Sequence, residues 1–185
     1  TFKELNAQAN SLLNGLLGMG VRKGDRVAVL ANNCPQYVEA LCAVAKGGMV
    51  LVPVNCGLSP VEFSHIINDS EANTLILGEN YSGVVNSLRS QLSTVRNFII
   101  IGGASDGMKS YQNLVSQYPP DEPEVEISED ALFSLMYSSG TTGLPKGVML
   151  SHNSFAIYVL ENVTPADPEL EERNIITVPL YHVVG

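Results

Sequence analysis

The sequence predicts an α/β protein built on largely parallel sheets flanked by helices. Three observations predict it: strand and helix patterns alternate over residues 1–118, the strand segments are unbroken apolar runs, and capped helix starts recur between them. Strands that alternate with helices are joined by right-handed crossovers, which lay the strands parallel and put helices on both faces. The runs VAVLA, MVLV, LIL and FIII lack polar alternation, as expected of strands buried on both sides.

Thr1 and Glu4 make a capping-box pair, and Phe2, Leu5, Ala9, Leu12, Leu13, Leu16 and Leu17 recur at three- and four-residue steps. Residues 1–18 therefore read as an amphipathic helix, which Gly18 and Gly20 stop. Residues 26–31 make a strand, Pro35 opens a helix to about Lys46, and residues 49–54 make a second strand. Ser59, Pro60 and Glu62 start a helix that ends near Ser70. A strand at 74–77, a helix at 83–92, a strand at 98–101 and a short helix at 111–118 complete the alternation. Residues 119–128, with three prolines and four acidic residues, are the sharpest break in composition and predict an exposed linker. The chain is thus divided into a first lobe at 1–118, a linker at 119–130 and the start of a second lobe at 131–185. The latter should hold a strand at 132–138, a Gly/Thr-rich loop, a short strand at 148–150, a helix from Ser151, an acidic stretch at 167–173 and a strand at 175–178.

A net charge of −9, from 19 acidic against 10 basic residues, argues against a nucleic-acid partner, because binding a phosphate backbone needs a basic patch. An anionic ligand must then be gripped locally. Cys34, Cys42 and Cys56 form no C-x-x-C pair and are odd in number, which fits reduced thiols in a cytoplasmic protein, each packed as a small buried hydrophobe. No apolar run reaches the ~20 residues of a transmembrane segment, and nothing at the start reads as a signal peptide. The sequence begins at Thr1 rather than Met and ends directly on a strand pattern, so truncation at both ends is expected, with room for an upstream targeting segment. Oligomeric state has no signal in the sequence.

The chemistry concentrates in residues 138–147, SSGTTGLPKG. Glycines there let backbone N–H groups approach phosphate oxygens, the four hydroxyls add short donors, and Lys146 brings a mobile positive charge. Charge-assisted hydrogen bonds, at roughly 1.5 to 3 kcal/mol each, outweigh repulsion from a distant acidic surface that salt screens. A Walker A loop does not fit. Pro145 stands where the glycine before the lysine belongs, and Gly147 where the Mg²⁺-binding hydroxyl belongs. The bland alternative is a solvated loop that happens to be rich in Ser, Thr and Gly.

Residues 137–152, YSSGTTGLPKGVMLSH, resemble the phosphate-binding signature of the adenylate-forming (AMP-binding) superfamily. That superfamily contains acyl- and aryl-CoA synthetases such as fatty-acid and 4-coumarate CoA ligases, peptide-synthetase adenylation domains and firefly luciferase. Residues 20–55 resemble its first conserved lobe, and the closing PLYHVVG at 179–185 resembles the CoA ligase and luciferase branches. The resemblance covers essentially the whole chain and implies a fragment of the large N-terminal domain of an adenylate-forming enzyme, with the C-terminal domain absent. It implies that a small-molecule carboxylic acid attacks the α-phosphorus of ATP, with Mg²⁺ present, releasing pyrophosphate, and that the acyl adenylate then passes to coenzyme A. By this resemblance Thr141, Lys146 and His182 are the catalytic candidates. Ser138, Ser139, Gly140, Thr141, Thr142, Gly143 and Lys146 would hold the nucleotide, His182 would lie where the ATP and acyl sites meet, and no metal ligand is assigned to the protein.

His152 is as readily a helix-start residue as a functional one, and His65, on an amphipathic helix with no visible partner, reads as surface. The resemblance also implies parts not found in these residues: an acidic Mg²⁺ ligand, a ribose-binding aspartate, a hinge and the lysine of a mobile C-terminal domain. The fragment alone is therefore expected to be inactive. A ligase loading a carrier-protein thiol and a nucleotide-binding relative without chemistry stay open as alternatives, and the acid is not specified.

Overall fold

In the computed structural model, which describes residues 1–138, 143–164 and 177–182, seven strands form one sheet in the order β5-β4-β3-β1-β2-β6-β7. They are β1 (Arg26–Leu30), β2 (Val50–Pro53), β3 (Thr74–Gly78), β4 (Asn97–Ile101), β5 (Lys109–Ser110), β6 (Leu132–Ser138) and β7 (Lys146–Ser151). The helices are α1 (Phe2–Gly18), α2 (Pro35–Lys46), α3 (Pro60–Asp69), α4 (Ser82–Leu88), α5 (Tyr111–Gln117) and α6 (His152–Asn162). From β5 across to β6 every neighbouring pair is parallel, and β7 alone runs antiparallel, against β6.

Side chains of successive strand residues point to opposite faces, so each buried strand feeds two cores. Val27, Val29, Ile76 and Ile99 pack on one side with Leu12, Leu13 and Leu16 of α1, Tyr37 and Val44 of α2, and Leu114 of α5. Ala28, Val52, Leu75, Leu77 and Phe98 pack on the other with Phe63, Ile66 and Ile67 of α3, and with Val85 and Leu88 of α4. The doubly covered sheet explains why the strand sequences carry no polar alternation.

The helix boundaries follow the predicted caps. Thr1 and Ser59 each close a capping box, accepting from the backbone N–H of Glu4 and Glu62 at 3.2 and 3.4 Å. Pro35 and Pro60 open α2 and α3, and Gly20, at φ 89°, turns the chain out of α1 in a conformation that suits glycine. Three elements differ from expectation. The helix predicted at 83–92 is split into α4 and flanking 3-10 turns at Glu79–Tyr81 and Arg89–Gln91. Strand β5 has two residues, too few for any pattern to reveal. Strand β7 is longer than predicted and antiparallel, because residues 139–145 are too short a connection for the dozen or so residues of a parallel crossover. The predicted acidic stretch at 167–173 and residues 175–176 of the last predicted strand lie outside the described residues, and Thr177 and Val178 are not in a strand.

The exposed segment 119–130 runs along α1. The Asn14 amide donates to the carbonyls of Pro119 and Asp121 at 2.9 and 3.1 Å, and the Asn10 amide donates to Pro120 O and the Glu122 carboxylate, both at 3.0 Å. Lys46 pairs with Glu122 at 2.5 Å and holds its carboxyl below the usual range. Beyond this strap, β6 enters the sheet beside β2.

One buried polar contact ties α2 to α5: the Tyr111 hydroxyl donates to the Glu39 carboxylate at 2.6 Å. Burial, and then this acceptor, push the Tyr111 phenol well above its ordinary value. Tyr111→Phe leaves a buried carboxylate oxygen without its donor and is expected to cost about 1 to 3 kcal/mol. Loss of amide-exchange protection in α2 and α5 of the full-length protein measures it, and Glu39→Gln, which still accepts, should lose less. Among the described residues no helix is long and apolar enough to cross a membrane.

Candidate active site

Ligands of open parallel sheets bind outside the carboxyl ends of the strands. At that edge β2 and β6 lie side by side, and beyond their ends a cavity of about 250 Å³ is lined by Pro53, Asn55, Leu58, Ile66, Tyr137, Ser138, Pro145, Tyr181 and His182. Two of the predicted site residues, Ser138 and His182, thus share one cavity although 44 positions separate them (182 − 138). A larger cavity, of about 690 Å³, opens at the opposite edge around Arg26, Asn73 and Asn97. None of the predicted residues lines it.

The stems of the loop are fixed by the β6–β7 hairpin. Ser138 is paired in register with Lys146, and Tyr137 with Gly147. Residues directly opposed across an antiparallel pair present their side chains on the same face, so the Ser138 hydroxyl and the Lys146 ammonium start from adjacent points. Both residues are exposed. A Cβ placed on Gly143 would meet nothing within 4 Å, which leaves open space beside the loop for a ligand. Ser139, Gly140, Thr141 and Thr142 lie outside the described residues.

Tyr137 closes the inner side of the stem. Its ring lies against Gly147, where an added Cβ would come 3.1 Å from the Tyr137 Cζ, a tight contact to which the ring would have to yield. Its hydroxyl donates to the Asp69 carboxylate at 2.6 Å, and burial together with that acceptor raises the phenol above its ordinary value. On the other stem, His65 Nε2 lies 3.1 Å from the Pro145 carbonyl oxygen. This corrects the expectation that His65 is a surface residue without a partner: it is half-buried and bonded to the loop. The partner lies 80 positions downstream, beyond the reach of any helical pattern.

His182 is exposed at the mouth of the cavity, and its backbone N–H donates to Pro179 O at 3.0 Å. Leu180 and Tyr181 pack against the α1/α2 core. The segment is held by Asn33, just past the end of β1: its amide donates to Val178 O at 2.8 Å and its carbonyl accepts from Leu180 N–H at 2.9 Å. Sequence reasoning did not single out Asn33. The one available signal was its place after a buried strand, where ligand sites of parallel sheets lie, and an asparagine there also suits an ordinary turn.

His152 is the first residue of α6, behind the Ser151 cap. Its ring packs on Phe133 with centroids 5.1 Å apart, burial depresses its pKa, and it does not line the cavity. The three cysteines are unpaired and half-buried rather than fully buried. Burial pushes the Cys42 and Cys56 thiols up, away from the thiolate form. Among the described residues no three His, Cys, Asp or Glu side chains converge on a metal position.

The segment that joins β6 to β7 at the carboxyl edge of this largely parallel, doubly covered sheet is rich in Gly, Ser and Thr and carries one lysine, and it is the stretch that resembles the adenylate-forming signature. The chain belongs to the AMP-binding enzyme family, whose sequence profile matches residues 1–185. It is 34% identical to a long-chain-fatty-acid–CoA ligase of Thermus thermophilus, over 99% of this chain and 34% of that protein. It is 35% identical to a feruloyl-CoA synthase of Amycolatopsis, over 100% of this chain and 35% of that protein. The inhibitor-bound N-terminal domain of FACL13 from Mycobacterium tuberculosis superposes with a TM-score of 0.86 at 32% identity, over 98% of this chain and 45% of that one. The chain spans about a third of the length of the curated relatives it matches.

Proposed function

We propose that the full-length protein activates a carboxylic acid with ATP and transfers the acyl group to coenzyme A. The carboxylate oxygen bonds to the α-phosphorus, the bond to the β-phosphate bridge breaks, and pyrophosphate leaves. The thiol of coenzyme A then displaces AMP from the acyl carbon. The observation that carries this reading is that both stems of the 138–147 loop and His182 bound one cavity at the carboxyl ends of β2 and β6.

In this reading Ser138, Ser139, Gly140, Thr141, Thr142, Gly143 and Lys146 grip the triphosphate. Thr141 and Lys146 act on the charge that develops on the leaving pyrophosphate, which is where fixed donors stabilise a transition state most. His182, across the cavity, orients the acyl carboxylate against the α-phosphorus. Mg²⁺ bound with the nucleotide would add positive charge against the leaving phosphates, beside the donors of this loop. The relatives named above act on a fatty and on an aryl acid, so both classes belong to the proposed substrate range.

We also propose that 119–130 separates a first lobe, 1–118, from the start of a second at 131–185. Exposed apolar side chains on β7 and α6, among them Met149 at 74% and Leu160 at 82% exposure, support further packing around that second part. Unpaired cysteines support a cytoplasmic location.

The deciding experiment is pyrophosphate exchange by the full-length protein across a panel of fatty, aryl and short acids, followed by thioester formation with coenzyme A or a carrier protein. Exchange that depends on one class of acid, and a thioester with coenzyme A, are expected. Nucleotide binding without acid-dependent exchange, over the whole panel, refutes the reading.

A further inference from the structure

We propose that α3 is a two-point brace for the phosphate-binding loop, with His65 and Asp69 as positioning residues that hold its two stems. The inference rests on the loop having the role given above. Residues four apart on a helix lie on one face, and from that face of α3 His65 reaches the Pro145 carbonyl while Asp69 receives the Tyr137 hydroxyl, at 3.1 and 2.6 Å. The two contacts fall on opposite sides of the loop, one just before Ser138 and the other just before Lys146.

Each contact answers a need of the loop. Proline has no backbone N–H, so the carbonyl is the only backbone group Pro145 has for hydrogen bonding, and the residue is buried. That oxygen only accepts, so His65 Nε2 carries the hydrogen and donates. Tyr137, with its ring against Gly147, has its phenol on Asp69 and can tilt only by breaking that bond. Between the two lies Ile66, which lines the cavity and is anchored in the core. The capping box of Ser59 and Glu62 fixes the other end of the helix. Core rigidity is thus passed through α3 to the backbone on which the phosphate donors are mounted, the support that preorganised sites need.

The test uses His65→Ala, His65→Gln, Asp69→Ala, Asp69→Asn and Tyr137→Phe in the full-length protein, with two readouts. One is amide exchange of residues 138–147 without ligand; the other is KM for ATP against KM for the acid in pyrophosphate exchange. His65→Ala is expected to speed loop exchange and raise KM for ATP by about fivefold to tenfold, the worth of one hydrogen bond, with KM for the acid unchanged. His65→Gln, whose amide N–H can reach the same carbonyl, should restore both. Asp69→Asn, still an acceptor, should stay near wild type while Asp69→Ala matches Tyr137→Phe. Loop exchange and KM for ATP both unchanged in His65→Ala, faster loop exchange with an unchanged KM for ATP, or His65→Gln as impaired as His65→Ala overturns the brace. If the wild type shows no acid-dependent exchange, the adenylation reading fails on its own, and the brace stands or falls on amide exchange alone.

Discussion

Lys146→Ala in the full-length protein is expected to lower acid-dependent pyrophosphate exchange by about a hundredfold to a thousandfold, the loss typical of removing one transition-state donor. Negative charge moves onto the pyrophosphate as its bond to the α-phosphorus breaks, so the ammonium interacts more strongly with the transition state than with bound ATP. The loss should therefore fall mainly on kcat, with a smaller rise in KM for ATP. Lys146→Arg should recover only part, because a planar guanidinium does not place its charge where a compact ammonium does. Lys146 is exposed and opens β7, so its side chain contributes little packing and the fold should keep its stability to within about 0.5 kcal/mol. Initial rates with ATP varied at saturating acid measure the effect. Wild-type exchange in Lys146→Ala refutes the assignment.

The fold was legible where its cause is local. Thr1 with Glu4, Ser59 with Glu62, Pro35 and Pro60 mark helix starts through hydrogen bonds and dihedral limits that act within four residues, and the apolar strand runs record burial on two faces. The candidate site offered a signal of the same local kind at 138–147, a contiguous stretch whose residue types read as an anion cradle. What could not be read is set by contacts distant in sequence. His65 looked like a surface histidine because its partner is a proline carbonyl just before β7, 80 positions downstream, and a carbonyl leaves no trace in residue type. Asn33 gave no signal because both its partners are backbone groups far downstream. The direction of β7 had no signal of its own in the strand pattern; the short connection from β6 sets it as a hairpin.

Asn33→Ala is expected to reduce adenylation by about tenfold to a hundredfold, since two hydrogen bonds of roughly 0.5 to 1.5 kcal/mol each hold the segment that presents His182. The amide is placed to do what two separate residues otherwise must: its N–H₂ takes the Val178 carbonyl and its oxygen takes the Leu180 N–H, spanning Pro179, which has no N–H to offer. With both ends tied, the turn closed by His182 N–H on Pro179 O keeps the imidazole at the cavity mouth. Without them Leu180 and Tyr181 still pack on the core, so the segment should shift rather than unfold. The histidine would then sample positions away from the carboxylate, and misplacement of about 1 Å is enough for losses of this size. Asn33→Asp separates the two contacts, because a carboxylate still accepts from Leu180 but repels the Val178 carbonyl it replaces a donor for. It should therefore fall between alanine and wild type or below alanine, never at wild type. KM for ATP should hardly move in either variant, since both hydrogen bonds of the Asn33 amide go to the segment before His182. A wild-type kcat in Asn33→Ala, or a loss shared equally by KM for ATP, contradicts this role.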